Sequence, residues 1–141
     1  GEPLAQKNCL PLLVALCDAG YDVSLETSGA LDICEVDPRV SRIVDLKAPS
    51  SGESARNYWS NIDCLTQRDE LKFVIADRSD YEWMRQAIRD NRLDGRCPLL
   101  VSPVQGEIDP QTLAEWVLDD RLPVRFQVQL HKLLWGNMQG K

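Results

Sequence analysis

The sequence predicts an α/β fold built on parallel strands. Three observations carry that prediction. Short β-rich apolar runs alternate with segments of helical period along the chain. Helices or helix-length connections separate successive runs, as parallel neighbours require. No repeat or low-complexity linker interrupts the 141 residues, and 43% hydrophobic content is enough for one domain with a real core.

The elements follow in order. Asn8 stands at an N-cap position with Pro11 in the first turn, and Leu10, Leu13, Val14 and Cys17 make an apolar helical face that ends at Gly20. Residues 21–27 form a short β-rich run, and residues 43–48 form another after the irregular segment around Pro38. Tyr58, Trp59, Ile62 and Leu65 have the spacing of a short helix within residues 50–66. Residues 71–76 read as a strand, and Ser79-Asp80-Tyr81-Glu82 as a capping box that opens a helix with Met84, Ala87 and Ile88 inward. Residues 99–103 are the next strand. Asp109 then caps a helix with Pro110 at its first position and Leu113, Trp116 and Val117 as its buried stripe. Residues 124–130 are the last strand.

Hydrophobic pattern alone leaves two architectures open, a doubly wound sheet and a β/α barrel. The polar residues favour the barrel. Asp45 and Lys47 are two apart and share a strand face; Arg125, Gln127, Gln129 and His131 do likewise, opposite Val124, Phe126, Val128 and Leu130. Where helices cover the outer face, a polar inner face means an interior that opens on a ligand. Glu26, Lys47, Ser102 and His131 also fall at or near the carboxyl ends of the expected strands, where β/α barrels place their sites. Each has a plainer alternative: a half-exposed edge strand for the last run, a structural ion pair for Asp45 and Lys47, a turn for Glu26-Thr27-Ser28, a hydrogen-bonded structural histidine for His131.

Composition narrows the function. A net charge of −6 and a pI near 4.8 argue against nucleic acid, whose binding rests on clustered Lys and Arg. No apolar run approaches the roughly 20 residues of a membrane span, and the acidic, polar start does not resemble a signal peptide, so a cytoplasmic protein is expected. Cys9, Cys17, Cys34, Cys64 and Cys97 form no CxxC pair, which predicts reduced, mostly buried thiols. No Met precedes Gly1 and no strand precedes the first helix, so N-terminal strands are expected to be missing. A strand edge exposed in that way would pair with another copy, giving a homodimer.

Gly1-Glu2-Pro3, Glu26-Thr27-Ser28-Gly29, Asp45-Leu46-Lys47, Lys72-Phe73-Val74, Val101-Ser102-Pro103 and Gln127-Val128-Gln129-Leu130-His131-Lys132 stand in an order and spacing that resembles the carboxy-terminal part of the 7-carboxy-7-deazaguanine synthases. These are radical S-adenosylmethionine enzymes of queuosine and deazapurine biosynthesis. The resemblance covers essentially all of residues 1–141 and implies the carboxy-terminal part of a single partial (β/α) barrel domain of the radical S-adenosylmethionine type. It implies three cofactors: S-adenosylmethionine, a 4Fe–4S cluster and magnesium. The family's cluster-binding Cys-x3-Cys-x2-Cys is absent here, so the ligands of cluster and magnesium are expected upstream and the chain alone is expected to be inactive.

The resemblance also implies roles. Gly1 looks like the last glycine of the motif that holds the amino group of S-adenosylmethionine, with Glu2 beside it. Glu26 and Ser28 resemble the motif lining its ribose or methionine portion. Lys47 aligns with a lysine that ends a three-residue cofactor contact; other branches read Ser-Pro-Lys where this chain has Asp45-Leu46-Lys47. Ser102 stands at a strand end toward the cofactor, and Gln127, Gln129 and His131 stand toward the pterin. No residue takes a catalytic or metal-ligating role. The implied reaction starts with a 5′-deoxyadenosyl radical, which takes hydrogen from carbon 6 of 6-carboxy-5,6,7,8-tetrahydropterin. Ring contraction with loss of ammonia follows, and a reducing protein such as flavodoxin supplies the electron. The alternative from another class is a non-catalytic α/β ligand-binding or interaction domain.

Overall fold

The computed structural model describes residues 1–136, with the side chains of His131 and Leu133 outside the description. Five parallel strands make one sheet in sequential order: β1 (Ser24–Thr27), β2 (Ser41–Leu46), β3 (Glu70–Ile75), β4 (Leu99–Pro103) and β5 (Arg125–Phe126). Helix α1 (Cys9–Asp18) precedes the sheet, α2 (Arg78–Asp90) links β3 to β4, α3 (Pro110–Asp119) links β4 to β5, and α4 (Leu130–Trp135) follows. Crossovers between parallel strands are right-handed, so sequential order sends the crossover helices to one face of the sheet.

That face is the core. Leu25, Val44, Leu46, Leu71, Phe73, Ile75, Leu99 and Val101 cluster with Leu13 of α1, with Tyr81, Met84, Ala87 and Ile88 of α2, and with Leu113 and Val117 of α3. Each fully buried side chain of the size of Leu71, Phe73 or Ile75 contributes about 1.5–3 kcal/mol. The Tyr81 hydroxyl, held far above the usual phenol range by burial and by Asp120, lies 2.7 Å from both the Trp116 carbonyl and Asp120 Oδ2 and shares its one proton between them, which fastens α2 to α3. The alternate residues of β2 and β3 are half-buried, so the second face of the sheet is open and polar, as their period-2 pattern predicts.

Four expectations need correction. The segment at 50–66 is not an α-helix but three short 3-10 turns, Pro49–Ser51, Ser54–Arg56 and Trp59–Cys64, broken at Gly52 and Asn57. The helix at Ser79 starts earlier, because Asp77 is its N-cap and accepts from the Asp80 N–H at 2.9 Å. The last strand is only two residues long: Arg125 and Phe126 pair with Leu100 and Val101, Gln127 N–H donates to the Val101 carbonyl at 2.9 Å, and the chain turns into α4 at Leu130. His131 therefore lies in a helix, not on a strand face with Arg125, Gln127 and Gln129. Cys34 and Cys64 form a disulfide with their Cα atoms 5.4 Å apart, while Cys9, Cys17 and Cys97 are free. Cys97 is free and buried, so the expectation of a reduced, buried thiol holds there, and burial pushes that thiol up to about 11. No helix among the described residues is long and apolar enough to cross a membrane.

Candidate functional site

Two adjoining cavities run along the open face at the carboxyl ends of the strands. The larger, about 650 Å³, lies over β2 and β3 and is bordered by Asp45, Lys47, Lys72, Asp77, Glu107 and Gln129 among others. The smaller, about 210 Å³, shares Asp45 and Lys47 and extends to Gly1, Glu2, Glu26 and Ser28. Residues far apart in sequence thus meet because parallel strands end at one edge. Leu46 borders the larger cavity while its side chain is buried in the core.

Glu2 is fully engaged. Its carboxylate accepts from Leu4 N–H at 3.1 Å, from the Thr27 hydroxyl at 2.9 and 3.0 Å, and from Ser28 N–H at 2.7 Å and the Ser28 hydroxyl. Burial alone would raise its pKa, but the Ser28 hydroxyl and N–H, with Leu4 and Thr27, outweigh it and hold the group below the usual carboxylate range. Glu2 therefore pins the first turn, Pro3–Ala5, to the end of β1. Glu26, on the opposite face from buried Thr27, is exposed and lines the smaller cavity.

The loop after β1 is held close to β2 by Gly29. Its φ is +72°, and a Cβ there would lie 2.7 Å from the Asp45 carbonyl oxygen. Buried Asn61 fixes the continuation, accepting from Ile33 N–H at 3.1 Å and donating to the Leu31 carbonyl at 2.9 Å. Lys47 Nζ sits 2.8 Å from Asp45 Oδ2, and buried Asn57 braces the Lys47 backbone on both sides, accepting its N–H at 2.9 Å and donating to its carbonyl at 3.0 Å. Asp80, buried at the start of α2, accepts from Ser50 N–H at 3.0 Å, from the Ser50 hydroxyl and from Ala76 N–H at 3.1 Å. The cavity rim is thus tied to a helix.

Ser102 is on the open face of β4 but borders neither cavity; it is fully buried and its hydroxyl has no hydrogen-bond partner among the described residues. Gln129 borders the larger cavity with an unpartnered, buried Oε1, whereas Gln127, half-buried, does not reach it. The side chain of His131 lies outside the described residues. Sequence reasoning quoted Lys72 within a motif but gave no site role to it, to Asp77 and Glu107, or to the supporting Asn57 and Asp80. Lys72 carried a signal: with Glu70 it is one of two charged residues at alternate positions of β3.

The cysteines bring no three sulfurs together; among the described residues the one group with metal-ligand spacing is Asp32, Cys34 and Cys64, which includes the disulfide.

Comparison with known proteins bears out the resemblance. The chain is 46% identical over 139 residues to the 7-carboxy-7-deazaguanine synthase of Chlorobaculum tepidum, matching 96% of this chain and 63% of that protein. It is 40% identical over 149 residues to the 7-carboxy-7-deazaguanine synthase of Koribacter versatilis, with 96% and 66% covered, and 31% identical to that of Clostridium acetobutylicum, with 99% and 66% covered. The chain thus spans a little under two thirds of the length of these relatives. No protein-family model matches it.

Proposed function

We propose, from its similarity to the 7-carboxy-7-deazaguanine synthases, that the chain forms the carboxy-terminal, ligand-binding part of a partial β/α barrel in an enzyme of that family. That enzyme would convert 6-carboxy-5,6,7,8-tetrahydropterin to 7-carboxy-7-deazaguanine with loss of ammonia, on the way to queuosine. The observation that carries the reading is the polar open face of a sequentially ordered parallel sheet, with adjoining cavities at its carboxyl edge. Closed by further strands, that face becomes a barrel interior.

S-adenosylmethionine fits the donor set, since a zwitterionic sulfonium needs carboxylates, hydroxyls and a cation around it. When bound and reductively cleaved it supplies the hydrogen-abstracting radical. The residues present bind and orient. Glu26 offers a free carboxylate to ribose hydroxyls or the amino group; the Asp45–Lys47 pair faces the methionine portion, with Gly1 and Ser28 closing the edge. Gln129 offers to a pterin N–H a carbonyl oxygen that has no partner among the described residues. A 4Fe–4S cluster does not fit the cysteines of this chain, and in this reading it and magnesium are held by residues outside these 141. A flavodoxin-type reductant, assembly as a homodimer and a cytoplasmic setting belong to the same proposal.

Calorimetric titration with S-adenosylmethionine tests it. Lys47→Ala and Glu26→Gln are each expected to weaken binding about tenfold or more, the size of a lost charge-assisted contact. Wild-type affinity in both variants contradicts the assignment. One observation favours a second reading, a non-catalytic ligand-binding module: no three cysteine sulfurs come together among the described residues. Binding of a ligand in these cavities that is indifferent to S-adenosylmethionine supports that reading instead.

A further inference from the structure

Among the described residues Lys72 is a cation on the open face that forms no ion pair. It lies in mid-strand on β3, in register with Asp45 of β2 and Leu100 of β4, and borders the larger cavity. Its strand neighbours Leu71 and Phe73 are buried on the helix side, so Lys72 points to the open face, where it is half-buried. The acid in register with it, Asp45, and the acid two residues before it on the same face, Glu70, are already committed: Asp45 Oδ2 to Lys47 at 2.8 Å, and Glu70 Oε1 to Arg125 at 2.6 Å; exposed Glu107 stands on the cavity rim. Asp77, on the rim, caps α2 through Asp80 N–H at 2.9 Å. Among the described residues Lys72 enters no salt bridge. A half-buried ammonium on a cavity wall is a ready partner for an anionic group of a ligand.

A second, independent observation points the same way. Gln129, across the same cavity, holds a buried Oε1 with no donor. Buried polar atoms are almost always satisfied, so an orphan acceptor on a cavity wall marks a place for a ligand's donor. The cavity thus lacks an anion at one point and an N–H at another.

Taking its ligands from the proposed function, on which it rests, we propose that Lys72 is the carboxylate-recognising residue of the larger cavity. Its ammonium takes the carboxylate of a bound ligand while Gln129 accepts from an N–H on the same molecule. Two ligands of that reading carry both features, the carboxypterin and S-adenosylmethionine with its amino-acid end.

The test uses the chain with three probes: 6-carboxypterin and unsubstituted pterin, followed by their fluorescence, and S-adenosylmethionine, followed by calorimetry. Lys72→Met and Lys72→Gln are expected to weaken at least one carboxylate-bearing probe by roughly tenfold to a hundredfold, with Lys72→Arg restoring most of it. Any binding of unsubstituted pterin should be unchanged. Loss confined to 6-carboxypterin assigns the carboxylate to the pterin; loss confined to S-adenosylmethionine assigns it to the cofactor; either supports the proposal. Should the wild type bind these probes and both uncharged variants bind them equally well, the role of Lys72 is overturned and the family reading stands. A wild type that binds none of the probes overturns both. Circular dichroism of each variant shows that the fold is retained, and because Lys72→Gln keeps a polar side chain of similar length, a folding defect in Lys72→Met alone leaves the test decisive.

Discussion

Removing the Asp69 carboxylate should unfold much of this protein's margin of stability. Asp69 is 1% exposed, in the turn before β3, and accepts five hydrogen bonds: from Arg42 N–H and Nε at 2.9 Å each, from Arg42 Nη2 at 2.7 Å, and from Thr66 N–H and hydroxyl at 2.7 and 2.9 Å. The remaining donors of Arg42 reach the Ile33 and Cys64 carbonyls at 3.1 and 2.7 Å, so one guanidinium gathers the loops on either side of β2. Asp69→Ala leaves that guanidinium buried and unpaired, which costs about 3–5 kcal/mol. Against a total of about 5–15 kcal/mol for an ordinary domain, this is a large fraction. Urea denaturation at neutral pH measures it; a loss below about 1 kcal/mol would refute the reasoning. The double substitution Arg42→Met with Asp69→Leu should recover part of the loss, because it leaves no charge behind.

The same group has a signature in pH. Burial alone would raise the pKa of Asp69, but the hydrogen bonds from Arg42 and Thr66 outweigh it and hold the folded value below the usual range. Its stabilisation is therefore complete above the unfolded value of about 3.9 and is lost as pH falls through the lower folded value. Asp69→Asn should flatten the acid limb of the stability curve below about pH 4. An unchanged slope would contradict the linkage.

Two further perturbations follow from the geometry. Gly29→Ala puts a Cβ 2.7 Å from the Asp45 carbonyl oxygen at a φ of +72°, so a loss of about 1–3 kcal/mol for backbone strain, plus the clash, is expected in thermal melts; a neutral substitution would mean that β2 yields. Cys34 and Cys64 are 30 residues apart, and Cys34→Ser or a reductant should lower stability by about 3–4 kcal/mol through loop entropy; melts identical with and without reductant would show that the cross-link does not form in solution.

Much of this was legible because strands and helices differ in period. β2, β3 and β4 and the helices carrying Met84 and Leu113 stand where the pattern puts them, to within a few residues. The strand-end cluster was legible for a related reason: once strands are parallel, Glu26, Ser28 and Lys47 share an edge whatever their separation in sequence. The last strand misled, since alternation over residues 124–130 does not reveal that pairing with β4 stops after Phe126. Cys34 and Cys64 misled because pairing depends on where two loops meet, which spacing does not encode. Lys72 stood in a quoted motif without a role, because only the structure shows that Asp45 and Glu70 are occupied elsewhere.

The claim that the polar carboxyl edge of the sheet is the ligand site is tested most directly by titrating the isotopically labelled chain with S-adenosylmethionine and following backbone amide shifts residue by residue. The account predicts saturable shifts at Glu26, Ser28, Asp45 and Lys47, with Arg42 and Asp69 on the opposite face and end of the sheet unmoved. Shifts confined to the helical face, or none at saturating ligand, would contradict it.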